Sequence, residues 1–149
     1  MIETIIEALS YHGRLQAEVE KKENMKEIVD NNELERWTFG INTNQLIELV
    51  LEGKKTATTY LYEDDEKYKE NGISILTDIN GNDVCLIQTK KIIITTFKNI
   101  TWDLAVLEGE NNSLDDWRKE HYNFFKKITP SFNKDTKVVF EIFEMINKL

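Results

Sequence analysis

Ile73-Ser74-Ile75-Leu76-Thr77-Asp78, then Asn80-Gly81, then Val84 through Thr96, is the stretch that decides the fold. The first segment is rich in β-branched residues, and Asn-Gly is the dipeptide that a tight two-residue hairpin turn prefers. The return segment is β-branched over most of its length and is too long for an ordinary short strand. Its run Ile92-Ile93-Ile94 predicts burial on both faces, or a bend into a curved wall. One long hairpin is therefore expected at the centre of the chain.

Moving outward, the pattern changes to helical spacing on both sides. Leu46, Leu49 and Val50 mark a helix over 43–52, with Asn42 or Thr43 as its cap and Gly53 as its stop. Ser113-Leu114-Asp115-Asp116 is an acidic capping box. The helix it opens carries Leu114, Trp117, His121, Phe124, Phe125 and Ile128 along one side. Between hairpin and capping box, Ile100 to Leu107 reads as a short helix or turn, and Pro130 closes the helical zone. Lys137 to Met145 reads as a last strand. Residues 60–72, acidic and aromatic with weak periodicity, read as a loop. Ile2, Ile5, Ile6 and Leu9 begin a helical stretch over residues 1–30, in which His12 is a surface or helix-end residue. With this order and no βαβ alternation, the expected class is α+β: a small β-barrel or strongly curved sheet with helical flanks.

The totals narrow the function. The chain has 149 residues, enough for one domain with a sizeable core. Its net charge of −8, from 27 acidic and 19 basic side chains, works against broad binding to polyanions and leaves room for a local basic site. The single cysteine, Cys85, sits between Val84 and Leu86 and reads as a small buried hydrophobe. Glu63-Asp64-Asp65-Glu66 lacks the alternating ligand spacing of a calcium loop, and two histidines do not make a metal set, so no metal or cofactor is expected. No apolar run reaches membrane-spanning length and the start carries no basic leader, so a cytoplasmic location is expected.

Two stretches concentrate reactive groups. Gly53-Lys54-Lys55-Thr56-Ala57-Thr58-Thr59 sets two ammonium groups beside three hydroxyls where a helix ends. If it runs extended, Lys55, Ala57 and Thr59 share one face, and Lys54, Thr56 and Thr58 the other. A turn instead brings Lys55 and Thr58 together. A lysine beside a threonine hydroxyl is a base next to a nucleophile, or an ammonium for a phosphate or carbonyl oxygen. The plainer reading is a basic helix end complementing the helix dipole. The second stretch, Glu108-Gly109-Glu110, offers carboxylates to orient the lysine or move a proton, or simply two acids before a helix. Trp37 and Phe39 pack a core edge or line a pocket for a planar ligand. His121 is a hydrogen-bonded core histidine or a site residue.

These stretches, in this order, resemble the ASCH domain family. Trp37-Thr38-Phe39-Gly40, Leu51 to Thr58, Asp83 to Thr89, Glu108-Gly109-Glu110, and Leu114 to Phe125 carry the likeness over roughly 37 to 146. The family hallmark Gly-x-Lys-x-x-Thr falls on Gly53, Lys55 and Thr58. The resemblance implies a PUA-like β-barrel with a cleft between barrel and helices over 37–149. Residues 1–36 are expected to form a helical extension packed on the same domain. It also implies a bacterial protein binding a nucleoside, nucleotide or short single-stranded RNA. One branch hydrolyses N4-acetylcytidine; its triad maps here onto Lys55 as base, Thr58 as nucleophile and Glu110 as acid or polarising group. Trp37, Phe39, Lys54, Thr56, Glu108 and His121 would then contact substrate. Non-catalytic RNA or nucleotide binding and ribonuclease action are the alternatives. The chain departs from that branch in its long N-terminus, in Thr59-Tyr60 where an arginine commonly follows the hallmark, and in Asn111 after the second glutamate.

Overall fold

The computed structural model describes residues 34–149, of which Arg36–Leu149 form one compact unit. The expected helix over residues 1–30, His12, and all but the end of the 1–36 extension lie outside the described residues.

The hairpin forms where the Asn-Gly signal places it. The Asp78 carboxylate accepts from the backbone N–H groups of Asn80 and Asn82, both at 2.9 Å, and these bonds lower its pKa. Gly81 takes a φ of +83°, open to glycine without steric cost. Around this turn, β3 (Ile73–Thr77) pairs antiparallel with β4 (Asp83–Thr96). The other edge of β4 pairs antiparallel with β5 (Lys137–Lys148), which pairs in turn with β2 (Ala57–Leu61). The two-residue β1 (Arg36–Trp37) adds in parallel to β3, giving the order β1-β3-β4-β5-β2. With β1 and β2 at its ends, the sheet of described strands is open, so the expected barrel is met only as a five-stranded mixed sheet.

Register shifts in β4 decide which residues are buried. The ladder slips between Thr89 and Lys91 opposite β5, and one extra residue inverts the alternation of side chains. Cys85 and Ile87 therefore enter one core cluster, while Ile93, also at an odd position, packs on the other. β5 serves both directly. Val138, Phe140 and Ile142 face the cluster of Ile93; Phe143 and Met145 face that of Cys85 and Ile87. Of the two readings of the isoleucine run, burial on both faces is not met: Ile92 and Ile93 are half-buried and Ile94 is 48% exposed, just beyond the irregularity at Thr89–Lys91.

The helices close the two faces. α1 (Thr43–Leu51) buries Leu46, Ile47 and Val50 against Phe39, Leu76, Ile87 and Phe143. Its Asn42 cap position is left-handed and makes no side-chain cap bond; Thr43 Oγ1 instead donates to Phe39 O at 2.8 Å. Gly53, at φ +75°, ends it as expected. A short α2 (Trp102–Ala105) lies between 3-10 turns at Phe97–Asn99 and Val106–Glu108. α3 (Leu114–Ile128) is capped by Ser113 Oγ, which accepts from Asp116 N. It buries Trp117 and Phe125, and Arg118 donates to the carbonyls of Phe97, Lys98 and Ile100. Ile128, expected on the apolar side, is 57% exposed at the helix end. Cys85 is fully buried, which pushes its thiol up to about 11. No helix among the described residues is long and apolar enough to cross a membrane.

One close approach positions the site. Gly109, at φ +71°, lies against the backbone of Lys54 and Lys55, where a β-carbon would overlap Lys54 O and stand 2.8 Å from Lys54 C. Thr56 N also donates to Leu107 O at 2.8 Å, so the 106–109 turn is docked on the chain leading into β2. Gly109→Ala therefore combines left-handed strain of about 1–2 kcal/mol with a backbone clash. Gly81→Ala meets nothing within 4 Å and carries the strain alone. Urea unfolding is expected to show a clearly larger loss for Gly109→Ala; equal losses would mean the turn relaxes away from Lys54.

Candidate functional site

β2 begins at Ala57, and Lys55, Ala57 and Thr59 point one way, as in the extended reading. Glu108 ends the docked 3-10 turn, and Glu110 follows Gly109 in the loop before α3. The three segments bring Lys55 between two carboxylates. Lys55 Nζ donates to Glu110 Oε2 at 2.7 Å and to Glu108 Oε1 at 3.2 Å, with Glu108 O at 3.5 Å. The ring of Phe39 lies 5.4 Å from the same ammonium. Phe39 belongs to one core cluster and Trp117, the neighbour of Glu108, to the other. Lys55 and Glu108 are thus buried where the two apolar clusters meet.

Burial of an unpaired charge costs several kcal/mol, so the network must saturate its charges. Glu108 does this with both oxygens. Oε1 faces Lys55; Oε2 accepts from Thr59 Oγ1 at 3.0 Å and from Trp117 Nε1, and stands 3.4 Å from His121 Nε2. Burial by itself would raise the Glu108 pKa, but the Lys55 charge and the bonds from His121 and Trp117 outweigh it and hold the carboxyl at about 2. His121 stacks on Trp117, centroids 4.2 Å apart, and its Nδ1 meets Trp117 O at 2.8 Å. Burial disfavours its charged ring, yet Glu108 and the Trp117 carbonyl raise its pKa overall.

The remaining expected residues fall elsewhere. Thr58 points to the opposite face of β2 from Ala57 and Thr59, across from Glu141 in the ladder. Lys54 is exposed and paired with Glu52 at 2.9 Å. Thr56 Oγ1 donates to Leu107 O at 3.3 Å, a structural contact. Trp37 donates to Ser74 Oγ and packs edge-on against Phe39, one shell behind Lys55. Thr59 and Trp117 hold the carboxylate and were not singled out as site residues. Strand alternation from Lys55 carries the signal for Thr59; nothing local marks Trp117 beyond its place four residues before His121.

Glu110 is the outward edge of the network. Its side chain is 17% exposed, against 1% for Lys55 and 2% for Glu108. It lines a surface cavity of about 370 Å³ with Asn111, Asn112, Asp116, Lys119, Glu120 and Asn123. Glu108, Glu110 and His121 offer ligand atoms within 4.8 Å of one another, a spacing that fits a cation. The Lys55 ammonium already bonds to both carboxylates, so this donor set is committed to a cation belonging to the chain.

The profile of the ASCH domain matches residues 35–147. Among solved structures, an ASCH domain from Lactobacillus crispatus JV V101 is 24% identical at a TM-score of 0.70, covering 76% of this chain and 80% of its own. Protein EF3133 from Enterococcus faecalis V583 is 27% identical at a TM-score of 0.71, covering 86% and 93% respectively. A search of curated proteins gives no match.

Two predictions come from this geometry. Glu108 has a depressed folded pKa, so its contribution is complete above its unfolded value near 4.3 and is lost as pH falls toward about 2. The melting temperature is expected to drop steeply through that window, and Glu108→Gln to flatten the drop. An unchanged profile in the variant would remove Glu108 as the cause. Lys55→Met leaves two carboxylates facing each other without their cation. It is expected to cost about 3–5 kcal/mol in urea unfolding, while Lys54→Met costs under about 1.

Proposed function

Because the chain belongs to the ASCH domain family, we propose that its Lys55–Glu108–Glu110 network is the floor of a cleft that binds a nucleoside, with Glu110 meeting the base. The carrying observation is that Glu110 alone of these three reaches the surface, next to a polar cavity. A carboxylate anchored by a buried ammonium is a fixed acceptor, and amino and imino edges of a nucleobase are donors.

Charge selects among the ligands. Lys55 faces two carboxylates, and the cavity sets Glu110, Asp116 and Glu120 against Lys119. Even a protonated His121 brings the inner network only to neutrality. Lys119 is outnumbered there by three carboxylates, so the charge balance supports a nucleoside over a nucleotide, single-stranded RNA or a ribonuclease substrate.

Hydrolysis of an N-acylated pyrimidine nucleoside such as N4-acetylcytidine is the second reading, with Lys55 as base, Thr58 as nucleophile and Glu110 as acid or polarising group. The 2.7 Å contact between Lys55 and Glu110 favours it. The alternation that turns Thr58 away from Thr59 weighs against it, and an ammonium bonded to two carboxylates must first give up a proton to act as base. Binding therefore leads.

Calorimetric titration with cytidine, N4-acetylcytidine and cytidine monophosphate distinguishes these readings. The nucleosides are expected to bind, the monophosphate no more tightly, and Glu110→Gln to weaken binding about tenfold, the worth of one charged hydrogen bond. A monophosphate preference, or full affinity in Glu110→Gln, would remove the reading. Release of cytidine from N4-acetylcytidine by the wild type and not by Thr58→Ala would promote hydrolysis to first place.

A further inference from the structure

We infer that His121 stands as an imidazolium, with a carbonyl acceptor at Nδ1 and a carboxylate oxygen facing Nε2, and that its proton sets the charge of the Glu110 cleft. The argument starts from what each neighbour is able to do. Trp117 O is a carbonyl and only accepts, so Nδ1, 2.8 Å away, must carry a hydrogen. Glu108 Oε2 belongs to a carboxylate that already accepts from Thr59 and Trp117, and it faces Nε2 at 3.4 Å. A neutral ring with its hydrogen on Nδ1 would point the Nε2 lone pair at that oxygen. A neutral ring with its hydrogen on Nε2 would point the Nδ1 lone pair at Trp117 O. Only the doubly protonated ring satisfies both sides. A 180° flip would keep the ring stacked on Trp117 but turn carbon atoms toward Trp117 O and Glu108 Oε2, giving up both contacts.

The groups around His121 are Glu108 at the end of the 3-10 turn and Glu110 in the following loop, each with an oxygen within 4.8 Å of it, and the Trp117 carbonyl on its own helix; Lys55, ahead of β2, bonds to both of those carboxylates. With the proton present, Lys55 and His121 balance Glu108 and Glu110. Without it the cluster carries one net negative charge beside the cavity. The shift of His121 to a raised pKa agrees with the geometry. The ligand consequence rests on the cleft proposed above; the protonation state does not. A ligand of constant negative charge is expected to lose affinity as His121 deprotonates, while a neutral nucleoside is held with much less change.

Nitrogen-15 NMR of the wild-type histidine rings, with His121 assigned through His121→Gln, tests the proton directly. The expected result near pH 7 is two protonated ring nitrogens and a midpoint above about 6.5, the ordinary histidine value. A ring with one bare nitrogen at that pH would overturn the inference. Glu108→Gln is expected to lower the midpoint by about one unit or more, and an unchanged midpoint would remove Glu108 as the group that holds the proton. For the ligand half, cytidine and a methyl phosphodiester of cytidine are titrated from about pH 5.5 to about pH 8.5. The diester is expected to lose about tenfold in affinity relative to cytidine, and His121→Gln to abolish the difference. Parallel profiles in the wild type would overturn the charge role. Absence of binding by either ligand would overturn the cleft reading and the ligand half with it, while the NMR result decides the proton alone.

Discussion

The ammonium of Lys55, buried between the carboxylates of Glu108 and Glu110, is the interaction on which the site's arrangement turns. A single charge at that depth would be prohibitive, and a carboxylate pair without a cation would be worse. Each partner is therefore tolerable only because the others are in place. That requirement explains the tight docking of the 106–109 turn, the glycine at 109, and the three polar contacts converging on Glu108 Oε2. It also sits where the two apolar clusters meet, with Phe39 on one side and Trp117 on the other.

Such a network is a weak source of net stability and a strong source of geometric definition. Apolar residues of the same volume would fill the space at no greater cost. What the charges add is a fixed direction for Glu110, the member that opens to solvent beside the cavity. The arrangement separates two tasks. Glu108 is fully engaged with the protein interior and holds Lys55, Thr59, Trp117 and His121 together, whereas Glu110 has one oxygen engaged with Lys55 and an outward edge. The sum of charges makes the cleft a poor host for phosphate, and this is why the nucleoside reading stands ahead of RNA.

His121 shows how a residue with two readings acquires one. On the helix its spacing places it with Trp117 and Phe125 on the apolar side, which is where core histidines lie. In the fold it is a core histidine and also a member of the charged network, since the tryptophan it stacks on donates to the same carboxylate oxygen that it faces. Packing and charge are satisfied by one side chain.

The residues alone determined the hairpin, the capped helix at 114–128, the glycine stop at 53 and the last strand, because each is written in nearest-neighbour chemistry: a turn dipeptide, a cap, a period. They also marked Lys55 and Glu110 as worth joining, through an ordered likeness that no spacing rule supplies. The register of β4 was not legible, since an extra residue in a ladder is set by the partner strand, and it decided that Ile94 would be exposed. Nor was the choice between Thr58 and Thr59. The hallmark spacing selects Thr58 and an extended chain sets Thr59 beside Lys55, and only the direction of β2 assigns Thr59 to the buried carboxylate and Thr58 to the opposite face. The pairing that fixes Glu110 was likewise tertiary, because Lys55 lies more than fifty positions away and only the fold sets it against that carboxylate.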